Sequence, residues 1–343
     1  MTAMTSLERV LTTLSHREPD RVPLFLLLTM HGARELGCSI KDYFSRAESV
    51  VEGQLRLHAR YGGDCLYPFF YAAIETEAMG GQVLYRDDGP PNAGAPIILD
   101  VQTIPQLSWP SPSRSPVLAR VLQAIRSLKA HAGNDVPIIG VVMSPFSLPV
   151  MQLGLERYFH LLEQPELFGA LMAINEEFCV EWANAQLEAG ATAICYFDPV
   201  ASPTVVPRDV YLRTGHPVAR RTLARIKGPT ATHLASGRAL PILGDLAATG
   251  TGVVGVSALE DLGQLKAAAR GKVTLLGNLN GIEMRRWTAQ EAEENVRRAI
   301  AQAGPGGGFI LCDNHGEIPL QVPEETLLAV SAAAQRWGRY PLG

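Results

Sequence analysis

The sequence predicts an α/β fold of the (β/α)8 barrel class, and two observations predict it. Short β-type runs recur along the chain, and each is followed by a stretch with helical spacing of its apolar residues. Two of these runs end at a histidine and a polar, glycine-containing loop: Pro229-Thr230-Ala231-Thr232-His233-Leu234-Ala235-Ser236-Gly237 and Gly308-Phe309-Ile310-Leu311-Cys312-Asp313-Asn314-His315-Gly316-Glu317. In a parallel barrel the carboxyl ends of all strands meet at one pocket. His233, Cys312 and His315 are therefore expected to converge although about 80 residues separate them in sequence.

The expected strands, in order, are Val22–Leu28, Cys65–Phe70, Pro137–Val142, Ala193–Phe197, Thr230–Leu234, Gly252–Val256, Val273–Gly277 and Gly308–Cys312. The expected helices are Ile40–Tyr61, Pro116–Ala132, Pro165–Ala189, Pro207–Lys227, Leu240–Thr249, Leu259–Ala269, Thr288–Ala303 and Pro323–Arg336. Thr288-Ala289-Gln290-Glu291 has the form of a capping box, and Pro323-Glu324-Glu325 puts proline and acids into a first turn. The segment Gly81–Ser113 breaks the alternation. Its runs Val83-Leu84-Tyr85-Arg86 and Pro96-Ile97-Ile98-Leu99-Asp100 predict a β-hairpin insertion. No repeat divides the chain, so residues 1–343 are expected to form a single barrel domain.

Composition narrows the function class. The 343 residues are 47% apolar and 19% charged, with a net charge of −4, which suits a globular protein with a full core. No basic patch points to nucleic acid. The run Val22–Leu28 is too short to span a bilayer and follows a polar segment, so neither a membrane anchor nor a leader is expected, and the predicted location is cytoplasmic. Cysteines at 38, 65, 179, 195 and 312 are odd in number and form no CxxC pair, which argues against a disulfide framework.

Several residues carry candidate chemistry, each beside a structural reading. His233 and His315 end β-runs, and they are either functional or satisfied structural histidines. With Cys312 and Glu317 they supply a ligand set suited to a catalytic zinc, which needs about three protein ligands and one open position. Cys312 is alternatively the last core residue of its strand, facing the helices. Glu75 and Glu77 flank a turn beside the pocket and read as a polar clamp or as helix-surface charge. Asp198 follows an apolar run and reads as a substrate ligand or a helix cap. Tyr67, Tyr71 and Tyr196 lie near strand ends and either line an aromatic pocket or pack.

Further segments carry a resemblance. Glu8-Arg9-Val10 with Asp20-Arg21-Val22-Pro23, Glu75-Thr76-Glu77-Ala78-Met79-Gly80, Asp198-Pro199-Val200-Ala201-Ser202-Pro203, Gly277-Asn278-Leu279-Asn280 and Trp337-Gly338-Arg339-Tyr340-Pro341 occur in the order found in the uroporphyrinogen decarboxylase superfamily. The chain resembles its corrinoid-dependent methyltransferase branch. The resemblance implies one barrel with its site at the strand carboxyl ends and Asn278 at the pocket.

Departures choose the branch. Thr29-Met30-His31-Gly32-Ala33-Arg34-Glu35 lacks the decarboxylases' arginine-rich motif, and Tyr71 occupies the position of their essential aspartate. His233-Leu234-Ala235 lacks the cysteine of the coenzyme M-type His-x-Cys zinc motif, and in the last loop the family's cysteine position, near His315 or Gly316, is not cysteine. His315-Gly316 resembles instead the His-Gly of the decarboxylases' final loop. The resemblance thus implies a methyltransferase acting between a small methylated substrate, such as an aryl methyl ether, and a corrinoid protein, with zinc polarising the substrate. No corrinoid-binding motif is present in this chain, so the corrinoid is expected on a partner protein. A homodimer is left open. The alternatives are methyl transfer from a methylcorrinoid protein to coenzyme M or another acceptor, and a non-catalytic binding barrel.

Overall fold

A computed structural model describes residues 4–342 of the chain. Residues beyond the alternating core form a two-stranded antiparallel hairpin, β1 (Val83–Leu84) and β2 (Asn92–Ala93). The second arm is thus Asn92–Ala93. The run Pro96–Asp100 stays unpaired in the hairpin; it is held by Ile98 N–H donating to Gln152 O (2.9 Å), and Leu99 is exposed.

Six parallel strands follow in sequence order: β3 (Ile139–Met143), β4 (Ala193–Phe197), β5 (Thr230–His233), β6 (Val253–Gly255), β7 (Thr274–Leu279) and β8 (Phe309–Asp313). Each lies within two residues of the run that predicts it. Their register aligns Phe197, His233 and Gly255 across β4, β5 and β6, and Asn278 with Cys312 across β7 and β8.

The first two expected strands are extended staves rather than laddered strands. Val22–Leu28 meets β8 by a single bridge, Leu24 to Leu311, and Cys65–Phe70 meets the residue just before β3 by another, Leu66 to Ile138. Apolar patterning is the same for a stave and a strand, so sequence alone does not separate them. Buried backbone groups must still find partners, and here side chains supply them. Gln54 bridges the two staves, donating to Leu28 O (2.7 Å) and accepting from Tyr67 N–H (2.9 Å). Gln186 accepts from Val141 N–H (3.0 Å) and donates to Val141 O (2.9 Å). Glu75 accepts from Met143 N–H (2.8 Å). These side chains complete the wall where ladders stop.

Helices pack outside the wall. The expected Ile40–Tyr61 helix breaks at Arg46, whose backbone is extended, into Ile40–Ser45 and Ala47–Tyr61. Pro207–Lys227 likewise divides at Thr214. The helix Ser6–Leu14, opened by a Thr5/Glu8 capping box, closes the amino end of the barrel. Its Val10 joins Phe25, Leu27, Cys65, Tyr67, Leu276, Ile310 and Cys312 in the lumen cluster. Among the described residues, no helix is long and apolar enough to cross a membrane.

Candidate functional site at the barrel mouth

His233 is the last residue of β5 and is fully buried. Strand alternation turns it into the lumen, where its ring stacks on Phe197 at 5.4 Å between centroids and 14° between planes. It lies over Gly255 on the neighbouring strand. A Cβ there would come within 2.4 Å of the His233 ring, so β6 must carry glycine at this point. Ala235 holds a left-handed conformation (φ 51°) that aims its N–H at His233 Nδ1 (3.1 Å). A non-glycine residue in that region carries strain of the kind found at functional sites. Because Nδ1 accepts, the neutral ring carries its proton on Nε2. That Nε2 is buried and has no partner. Burial, reinforced by His315, lowers the imidazole pKa to about 4, so the ring is neutral at pH 7.

The loop after β8 folds down onto this histidine. Asp313 Oδ2 accepts from His315 N–H (2.7 Å) and Gly316 N–H (3.0 Å), which turns the chain sharply. Gly316 has φ 84°, and a Cβ on it would lie 2.8 Å from Phe197 Cε2 and 3.3 Å from His233 Cε1. Tyr67 O–H donates to Gly316 O (3.0 Å) and pins the loop from the second stave. Glu317 follows, held by a hydrogen bond from the Thr29 hydroxyl. Burial pushes its carboxyl up to about 7, although the Thr29 bond opposes this. His315 is half-buried with a free Nδ1. Burial lowers its pKa against the pull of Asp313, and burial raises that of Asp313. The mouth thus gathers His233, His315, Asp313, Glu317 and Tyr67.

Other expected site residues lie elsewhere. Tyr196 faces out of the barrel, among Trp182, Ala183 and Leu223 of the helical layer, so it does not line the mouth. Asp198 is also behind the wall. Its Oδ1 accepts from Ser144 and Ser147 hydroxyls (both 2.6 Å), and Ser147 Oγ in turn accepts from Val200 N–H (3.1 Å). It latches the loops after β3 and β4. Glu75 completes the β3 edge through one oxygen, and its other oxygen is buried without a partner. Burial raises its carboxyl to about 8. Asn278 commits its amide to Ser257 O (2.9 Å) and Glu260 O (3.4 Å), tying down the β6 loop. Tyr71 donates to Glu77 (2.5 Å) and packs edge-on against Tyr85 beside the hairpin. Cys312 does face the lumen, not the helices, but burial pushes its thiol well above the usual range.

Zinc does not fit the ligand set His233, Cys312, His315 and Glu317. Among the described residues, no three His, Cys, Asp or Glu side chains converge into a metal-binding group. Ligation through His233 Nε2 would require the proton on Nδ1, where the Ala235 N–H already donates. Cys312 would have to lose its proton in a buried lumen, beside a carboxylate it touches at 3.5 Å.

Sequence reasoning missed Asp313, Phe197, Gly255 and Thr29. Asp313 stood inside the motif but read as one more acid. Phe197 and Gly255 are revealed only by cross-strand register with His233.

A profile of the family described as "Uroporphyrinogen decarboxylase (URO-D)" matches residues 5–337. The chain is 26% identical to a uroporphyrinogen decarboxylase from Alkalilimnicola ehrlichii, over 97% of this chain and 95% of that one. It is also 26% identical to the methylcobamide:CoM methyltransferase MtaA from Methanosarcina barkeri, over 98% and 99%. A methyltransferase structure from Methanosarcina mazei superposes with a TM-score of 0.82 at 22% identity, covering 97% of this chain and 99% of that one, which supports the same barrel fold. The chain therefore belongs to the uroporphyrinogen decarboxylase family, whose members similar to it include both decarboxylases and methylcobamide methyltransferases.

Proposed function

We propose that this barrel moves a methyl group between a small methylated substrate and a corrinoid carried on a separate protein. The observation that carries the reading is the donor set at the mouth: the unpartnered Nε2–H of His233 in the same mouth as Glu317, whose carboxyl burial holds near neutrality. Such groups suit a leaving oxygen that must gain a hydrogen bond and then a proton. Full-length similarity to a methylcobamide methyltransferase supports the same reading. So does the character of the site where a decarboxylase would bind a polycarboxylate. Tyr71 is paired with Glu77 there, and Arg34 directs its guanidinium to the carbonyls of Leu320 (3.2 Å) and Val322 (3.3 Å).

In this reading the reduced corrinoid supplies the electron pair that takes the methyl group. The chain's residues orient the donor and protonate the departing oxygen. Glu317 is the acid and His233 the fixed hydrogen-bond donor. His315 closes over the pocket. A methyl ether, and most readily an aryl methyl ether, is the donor class these groups favour, because a phenolate-type oxygen is the better leaving group. Zinc has no role in this scheme. An anaerobic spectral assay with cob(I)alamin and a panel of methyl ethers, methyl amines and methyl thiols tests it. Methylation by ethers alone is the expected outcome. A panel-wide absence of methylation, or preference for thiols, would refute it.

A further inference from the structure

Toward its amino end, away from the mouth, the barrel is hollow. A cavity of about 80 Å3 lies over the helix Ser6–Leu14, against Leu7, Val10, Leu11 and Leu14. Barrel interiors are ordinarily filled by layers of branched side chains. Here Ala193 at the start of β4 and Ala231 on β5 leave the space open, while Leu276 of β7 and Ile310 of β8 wall it. One water needs roughly 10–15 Å3 of such space, so there is room for about six water-sized groups, the bulk of one small ring.

The interior offers a guest no hydrogen bond. Among the described residues, no carboxylate or cation lines it. Tyr67 borders it, but its hydroxyl is committed to Gly316 O (3.0 Å). Thr192, at the rim, accepts from Ile138 N–H (3.0 Å), and Thr230 turns the opposite way from Ala231 along β5. His233 closes the top without a free polar atom. Its Nδ1 accepts from Ala235 N–H, and its Nε2 is buried on the Gly255 side of the ring, out of reach of a guest. The Cys195 thiol, pushed up to about 12 by burial, stays uncharged and behaves as a small apolar group. An apolar void of this kind stays dry and takes apolar guests.

The way in is at the amino end. Leu11 is 51% exposed beside the cavity, and Pro137, Thr192 and Pro229, which precede β3, β4 and β5, share the rim with it. We infer that this amino-end lumen is a binding site, separate from the mouth, for a small apolar molecule without hydrogen-bonding groups, of up to about six carbon atoms, held by burial alone. Benzene is a member of this class. The site goes beyond the proposed function and does not depend on it.

Ligand-observed NMR titration of the full chain with benzene and pyrazine, together with xenon NMR, tests the inference. The two rings match in shape, but pyrazine carries nitrogen acceptors at opposite ends. In either orientation one of them is buried without a donor. Benzene should bind saturably and displace a bound xenon population, and pyrazine should bind at least about tenfold more weakly. Ala193→Leu and Ala231→Leu fill the void from neighbouring strands, and each should weaken benzene at least about tenfold while thermal unfolding stays cooperative. If a variant does not fold, the xenon and pyrazine comparisons on the unmodified protein still decide the matter. The inference fails if the wild type does not bind benzene saturably, if pyrazine binds as tightly, if benzene leaves the xenon in place, or if both folded variants bind benzene undiminished.

Discussion

At the scale of single residues, the site depends on closeness that only particular side chains permit. Gly316 sits between Phe197 and His233 with a positive φ and no room for a Cβ. Gly316→Ala should therefore push the β8 loop off His233. The expected result is a loss of turnover of about a hundredfold or more with the far-UV spectrum unchanged, since misplacement of about 1 Å near the chemistry has that effect. Glu317 makes the second prediction. As the proposed proton donor, with its carboxyl raised to about 7, it must be protonated to act, so the rate should fall as pH rises through that value. Glu317→Gln should lower the rate and remove that descending limb; a mutant profile that still falls near pH 7 would assign the limb to another group. His233, His315, Tyr67 and Glu317 were legible in the sequence because polar residues at the ends of apolar β-runs point to a barrel mouth. Asp198 and Tyr196 were not, because one residue along a strand changes the face. Phe197 lies in the lumen between them, and they lie outside.

At the scale of elements, the wall shows where sequence patterns stop being informative. The six laddered strands and most of the outer helices were readable from periodicity and caps, Thr288 and Glu291 among them, but Ser6–Leu14 was not expected and two expected helices break, at Arg46 and at Thr214. The two staves were read as strands because their apolar runs look alike. Gln54, which joins the two staves, and Gln186 and Glu75, which complete the β3 edge, lie on helices and carry no local signal of these roles. Glu75 gives the element-scale prediction. Burial raises its carboxyl to about 8 from an unfolded value near 4.5. The folded state thus binds a proton that the unfolded state has released, and stability declines as pH rises between those values. Glu75→Gln keeps the oxygen that accepts from Met143 N–H and removes the titration. Melting scans should show the variant gaining on the wild type from pH 5 to pH 9, by about 2–4 °C or more at the upper end. A constant offset across that range would mean that Glu75 is not held neutral in the fold.

At the scale of the molecule, one buried carboxylate ties the amino end of the barrel together. Asp64 accepts from Arg9 (2.7 Å), Arg21 (2.6 Å), Leu24 N–H (2.8 Å) and the Ser6 hydroxyl (2.9 Å). It joins the closing helix and both staves. Asp64→Ala would leave Arg21 without a carboxylate and the Leu24 N–H unpaired, while Arg9 keeps Asp20 (2.7 Å), and denaturant unfolding should show a loss of about 3 kcal/mol. Arg9 and Arg21 belonged to the segments that carried the family resemblance, but their common partner Asp64 was invisible, being 43 residues beyond Arg21. The barrel as a whole was legible from its alternation. Its chemistry was legible only in part, because decarboxylases and methylcobamide methyltransferases share the fold and are equally identical to this chain. The two chemistries separate in one anaerobic comparison, in which the same protein preparation is given uroporphyrinogen in one cuvette and cob(I)alamin with an aryl methyl ether in the other. The account predicts conversion of the cob(I)alamin spectrum to that of methylcobalamin and no coproporphyrinogen; coproporphyrinogen formation without corrinoid methylation would contradict it.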